Sequence, residues 1–239
     1  MAAPPDRLRS VRSYVMRAGR ITEAQQRALA ELWPRYGIEF NAGELDLDRL
    51  FGREAPRTLE IGFGNGEHLL ERALAAPERD FLGIEVHRPG IGHLLLAAGK
   101  AGLTNLRVIA HDAVDVLQYQ IGAGTVDELQ LLFPDPWPKA RHHKRRIVQP
   151  AFARLVASRL TAGGRLHLAT DWEPYADEML RVLAACEELQ NLADRGGFID
   201  HVKLRTATRF ERRGKRLGHP VRELLFVRTG GSAGSAGSG

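Results

Sequence analysis

From Thr58 onward the chain alternates between short β-rich runs and stretches of helical periodicity, and that alternation leaves few folds open. The β-rich runs fall at 58–61, 80–85, 106–110, 126–133 and 164–169. The helix-period stretches lie at about 67–76, 89–101, 113–119, 147–160 and 174–190. The pattern predicts an α/β fold: a mostly parallel sheet, right-handed crossovers and helices on both faces. Ligands in such sheets sit beyond the carboxyl ends of the strands. A last β-rich run, 223–228, follows a basic, glycine-containing loop.

The segments outside this alternation set the domain boundaries. Between residues 7 and 20 stand Arg7, Arg9, Arg12, Arg17 and Arg20 and no acid, so residues 1–20 read as a basic arm that orders poorly or only on binding. Thr22 then caps a helix reaching about Trp33, with Pro34 ending it. Residues 21–229 form one domain, and 230–239, made only of Gly, Ser and Ala, are a flexible tail. The formal net charge of +5 suits a polyanionic partner as well as it suits a plain solvated surface. A single cysteine, Cys186, excludes a disulfide within the chain and points to the cytoplasm; its apolar-periodic setting makes it a packing residue. No apolar run is long enough to span a membrane, and no signal-peptide pattern opens the chain.

The chemistry concentrates at the strand ends. The first β-rich run enters a turn carrying Gly62, Gly64 and Gly66, which lets the backbone approach a ligand closely. The second run ends in Glu85, suited to the two hydroxyls of a ribose, so the pair reads as a nucleoside-cofactor site. A nicotinamide dinucleotide is disfavoured: the third fingerprint glycine is missing, and Glu67 in the first helical turn repels a pyrophosphate. Glu60 near the turn, Glu85 and Asp112 at the ends of successive strands suit a cationic ligand instead. S-adenosylmethionine has no phosphate and carries both a sulfonium and an ammonium. Glu60 can receive the ammonium directly or through water, Glu85 the ribose, and Asp112, followed by Ala113, the adenine amino group. Each acid taken singly also fits a loop carboxylate or a helix cap.

The fourth strand runs into Phe133-Pro134-Asp135-Pro136-Trp137-Pro138-Lys139, followed by the basic stretch from Arg141 to Arg146. With Thr170-Asp171-Trp172-Glu173-Pro174-Tyr175, Thr208-Arg209-Phe210-Glu211 and the arm segment around Arg12 and Arg20, this resembles the bacterial tRNA (guanine-N7)-methyltransferase family. The resemblance covers roughly residues 12–228. It implies a Rossmann-like class I methyltransferase with a seven-stranded sheet and a reversed final strand. It also implies methyl transfer from S-adenosylmethionine to N7 of guanosine 46 in the tRNA variable loop, by a monomer or homodimer. By motif position it makes Glu60, Glu85, Asp112 and Asp135 cofactor-side residues, with Asp135 catalytic. Lys139, Asp171, Thr208, Arg209, Phe210 and Glu211 fall at substrate-binding positions.

Guanine N7 carries a free lone pair, so transfer to it needs alignment rather than a general base. Asp135 can accept from guanine N1–H and the exocyclic amine, which selects guanine over adenine and offsets the charge that methylation leaves on the base. Trp137 reads either as a stacking platform or as a hydrophobic lid, and Asp171 as a helix cap or a second guanine contact. Lys139, Arg141, Lys144, Arg145 and Arg146, with the arm and Arg209, Arg212, Arg213, Lys215 and Arg216, read as phosphate contacts. His142 and His143 lack a ligand set at tetrahedral spacing, so no metal is expected. Three alternatives stand beside this reading. One is methylation of an exocyclic amine on another base, against which Asp135-Pro136-Trp137 lacks a second proline. The others are a nicotinamide-dependent oxidoreductase and a non-catalytic RNA-binding protein that retains the fold.

Overall fold

The computed structural model describes residues 12–14, 19–199 and 220–230. The alternation resolves into β2 (Arg57–Ile61), α4 (Glu67–Ala75), β3 (Asp80–Ile84), α5 (Arg88–Ala101), β4 (Leu106–Ile109), α6 (Ala113–Tyr119), β5 (Val126–Leu132), α7 (Pro150–Arg159), β6 (Leu160–Thr170) and α8 (Glu173–Ala184). Ahead of these lie α1 (Glu23–Glu31), α2 (Trp33–Tyr36), β1 (Gly37–Ile38) and α3 (Leu47–Phe51); β7 (Leu189–Asn191) and β8 (Arg222–Arg228) follow.

The strands form one sheet in the order β1-β4-β3-β2-β5-β6-β8-β7. Strands β1 to β6 run parallel, while β8 is antiparallel to both β6 and β7. From β2 the order proceeds outward in both directions, so the crevice for a ligand opens between β2 and its neighbours at their carboxyl ends.

Side chains alternate across the pleat, and each face meets its own helical layer. Leu59, Ile61, Leu129, Leu131, Leu166 and Leu168 pack against α6, α7 and α8. Phe81, Leu106 and Val108 pack on the opposite face with Ala28, Leu69, Leu94 and Leu95 of α1, α4 and α5. Where β2 and β5 continue on that second face the residues are polar: Thr58, Glu60 and Gln130 are buried there, and Arg72 of α4 makes a paired contact to Glu128 at 2.8 and 3.0 Å.

Several expectations need correction. Among the described residues the sheet has eight strands rather than seven, because the two-residue β1 pairs with β4. Pro34 does not end the first helix; that helix stops at Glu31, and Pro34 sits in the first turn of α2, where its missing N–H costs nothing. Thr22 caps α1 as expected, in a reciprocal capping box with Gln25. The helix expected to reach residue 190 ends at Ala184, and Leu189–Asn191 becomes a strand because β8 offers it an edge to pair with. The helix expected from 147 begins at Pro150. Most of the basic arm, the tail beyond Gly230, and Thr208, Arg209, Phe210 and Glu211 lie outside the described residues.

Candidate active site

A cavity of about 340 Å³ opens at the carboxyl ends of β2, β3 and β5, within the size range of small-ligand sites. Its wall includes Gly62, Gly64, Glu85, His87, His111, Ala113, Asp135 and, from the N-terminal arm, Ser13 and Tyr14. Among the described lining residues there are two carboxylates and no lysine or arginine. Such a wall favours a positively charged nucleoside and disfavours a pyrophosphate.

The glycine turn is built as its chemistry requires. Gly62 and Gly64 take φ of +71° and +59°, and a side chain at Gly62 would project into open space. Glu85 fixes the turn from the next strand: one carboxylate oxygen accepts from Gly64 N–H at 2.8 Å, the other from Val86 and His87 N–H at 2.6 and 2.9 Å. Its spare acceptor capacity is thereby aimed rather than free to rotate. The other expected cofactor residues lie one layer behind the wall. Asp112 caps α6 through Val114 N–H at 2.8 Å and hands the wall position to Ala113. Glu60 is buried beneath the turn against His68. Gly66 packs on Leu94, which a side chain there would strike.

The segment carrying Asp135 is held in an unfavourable shape. Phe133 and Trp137 adopt φ of +53° and +45°, a left-handed conformation costing aromatic residues on the order of 1 kcal/mol or more each. The surroundings enforce it. Phe133 N–H donates to Ala169 O at 2.7 Å, the Trp137 indole N–H donates to Ser13 O at 3.2 Å, and Arg146 Nε donates to Pro136 O at 2.9 Å. Trp137 is thus engaged by the arm on its edge, with the Arg145 guanidinium over its ring at 5.1 Å. Asp135 itself is exposed at the cavity mouth.

Arg146 departs from its basic neighbours. It is 2% exposed, pairs with Glu178 of α8 and lies over the Tyr175 ring at 4.8 Å. It is a clamp between the Asp135 segment and α8, not a phosphate contact. Replacing it by alanine strands Glu178 and frees the Pro136 carbonyl. The expected loss is about 3 kcal/mol of stability by denaturant titration, at the low end for a buried pair because Glu178 reaches solvent. Unchanged stability would refute the clamp.

The remaining cations, Lys139, Arg141, Lys144 and Arg145, lie on or beside a short 3₁₀ helix, Ala140–Arg145, that leads away from Asp135. Lys139, Arg141 and Lys144 are exposed. His142 sits among them, and partial desolvation together with Arg141, Arg145, Lys139 and Lys144 holds its imidazole below the ordinary histidine range. Asp171 is exposed at the end of β6; Trp172, not Asp171, takes the cap position of α8.

The sequence offered no signal for Tyr14 as a wall residue. Its phenol is pushed up by burial and by the nearby Asp112 charge, so it stays neutral at physiological pH. Cys186 behaves as packing: burial and Glu188 raise its thiol to about 11, and excess iodoacetamide at neutral pH should leave activity intact. Among the described residues no helix is long and apolar enough to cross a membrane.

An open parallel sheet with a reversed late strand, a glycine turn at its switch point and acids at three successive strand ends defines a class I S-adenosylmethionine-dependent methyltransferase. The fold recurs in the 16S rRNA methyltransferase KamB, with a TM-score of 0.57 at 19% identity over 78% of this chain and 95% of that one. It recurs also in the 16S rRNA (adenine(1408)-N(1))-methyltransferase from Catenulisporales acidiphilia, with a TM-score of 0.52 at 18% identity over 79% of this chain and 93% of that one. A family model described as a putative methyltransferase matches residues 54–224. Proteins named tRNA (guanine-N(7)-)-methyltransferase are similar along nearly the whole chain. The one from Leifsonia xyli subsp. xyli is 59% identical over 90% of this chain and 94% of its own length. Those from Aeromonas hydrophila and Pseudomonas aeruginosa are 55% and 54% identical over 92% of this chain, and over 93% and 91% of their own lengths. The chain belongs to the tRNA (guanine-N7)-methyltransferase family.

Proposed function

We propose that this chain transfers the methyl group of S-adenosylmethionine to N7 of guanosine 46 in the variable loop of cytoplasmic tRNA. The observation that carries the reading is the juxtaposition at Asp135. An exposed carboxylate on a strained, clamped segment stands between a cavity whose described lining holds no lysine or arginine and a cationic 3₁₀ helix.

The residues fit the methyl donor. Gly62 and Gly64 bring backbone into the wall, Glu85 is aimed at the position of a ribose, and Ala113, held by the Asp112 cap, borders the adenine side. When bound, S-adenosylmethionine supplies a methyl group on a positively charged sulfur. Asp135 accepts from guanine N1–H and the exocyclic amine, orients N7 toward the methyl carbon and offsets the positive charge that develops on the purine. No proton leaves N7, so Asp135 acts as an orienting and stabilising group. Lys139, four residues after Asp135, and Asp171, after the strand that pairs with β5, are both exposed and are the substrate contacts of this reading.

The test is labelled methyl transfer to unmodified tRNA with identification of the product base, using a tRNA altered at position 46 as control. Label in N7-methylguanosine that disappears with the altered tRNA is the expected result; label in another base or at another position refutes it. A pH dependence follows from His142. Its imidazole is held below the ordinary histidine range in the free protein, and a bound polyanion favours its charged form. Binding of tRNA should therefore tighten as the pH is lowered and the imidazole takes up a proton, and His142→Gln should flatten that change.

A further inference from the structure

We propose that His68 is a positioning residue for the methyl donor, its imidazole holding the Glu60 carboxylate in the orientation that receives the donor's amino-acid ammonium. The inference rests on the methyl-donor reading of the cavity and adds to it a residue that has no place in the glycine motif.

Glu60 lies in β2, two residues before Gly62, and is 3% exposed. His68 is the second residue of α4, whose first turn folds back over the end of β2. His68 Nδ1 stands 3.0 Å from Glu60 Oε2, with both side chains 4% exposed. Among the described residues this is the hydrogen bond given for Glu60, and it engages Oε2. Gln130, the cross-strand partner of Glu60, donates its amide to Glu128 at 2.6 Å, and Arg72 pairs with the same Glu128 while its charge also acts on Glu60. A buried carboxylate with one oxygen pinned, one layer behind the glycine turn of the proposed donor site, can act on a cation there directly or through water. An ammonium is a threefold donor that needs such an acceptor. His68 supplies the pin. Its other nitrogen, Nε2, is buried without a partner, so its placement is not explained by full satisfaction of its own polar groups.

The experiment compares two ligands by calorimetry on the full chain. S-adenosylhomocysteine has the amino-acid end; 5′-methylthioadenosine has the same nucleoside and lacks it. His68→Leu should weaken S-adenosylhomocysteine by about 10-fold or more, the scale of losing the support of a ligand-binding group, and leave 5′-methylthioadenosine unchanged. His68→Asn, whose amide nitrogen takes the place of Nδ1, should restore most of the affinity. His68→Gln, which carries its donor farther out, should not, and that pair keeps the comparison open if the leucine variant folds poorly. Parallel weakening of both ligands overturns the inference, because a merely structural role acts on both alike. Glu60→Gln separates the levels. If it leaves the discrimination intact, the ammonium reading of Glu60 is wrong. If it abolishes the discrimination while all His68 variants keep it, only the role of His68 fails.

Discussion

Asp135→Ala should lower the single-turnover rate of tRNA methylation by about 10²–10³-fold while leaving affinity for S-adenosylhomocysteine nearly unchanged. The magnitude is that of removing one group that acts on charge developing in the transition state. The split between rate and affinity follows from geometry. The proposed cofactor contacts are distributed over the glycine turn, Glu85 and the Ala113 edge, whereas Asp135 stands exposed at the mouth, on the proposed path of the second reactant. Two aromatic residues with positive φ bracket it, and their strain is sustained by hydrogen bonds to Ala169, Ser13 and Arg146. A segment held at such cost is preorganised, so its backbone needs little rearrangement when the base enters. Asp135→Asn keeps one acceptor and the shape but loses the charge, and should fall between wild type and alanine. A sharp fall in cofactor affinity with surviving single-turnover chemistry would place Asp135 on the cofactor instead and sink its role toward guanine.

The parts of this molecule that were legible in the sequence are those whose physics is local. The strands β2 to β5 begin and end within a residue or two of their β-rich runs, because each run is a local pattern, as with β2 between Arg57 and Gly62. The glycine turn and Glu85 were legible for the same reason: strand, turn and next strand end lie within thirty residues. β1 and β7 were not legible, since two or three residues with no pattern of their own become strands only when a neighbouring edge is present. The site shows the same division. Ser13 reaches Trp137 across 124 positions, and Arg146 reaches Glu178 across 32. In a run such as Arg141 to Arg146 composition treats every cation alike. The one that turns inward is identified by a carboxylate on a distant helix, which periodicity within the run cannot reveal. His68 lay hidden likewise, because its partner is fixed by how α4 folds back over β2 and not by spacing.

That division between buried and exposed cations carries the largest effect. Affinity for tRNA should fall by about 10³-fold between about 50 and 200 mM salt, the response expected when some six phosphates are neutralised. The described surface supplies that many near the cavity: Lys139, Arg141, Lys144 and Arg145 on the basic segment, and Arg12 and Arg20 on the arm beside Ser13 and Gly19. The cavity interior, by contrast, carries no lysine or arginine among the described residues, so affinity for S-adenosylhomocysteine, whose net charge is zero, should change little with salt. The variants sort by burial. Arg141→Ala and Lys144→Ala should each reduce the slope of log affinity against log salt by about one, and weaken binding alike for different tRNAs. Arg146→Leu should leave the slope unchanged in whatever fraction stays folded, because its charge faces Glu178 rather than solvent. A flat salt response would remove the electrostatic account of substrate capture. A slope that fell with Arg146 as much as with Arg141 would mean that the clamp opens on binding, and that the strained Asp135 segment is rebuilt around the tRNA rather than held ready for it.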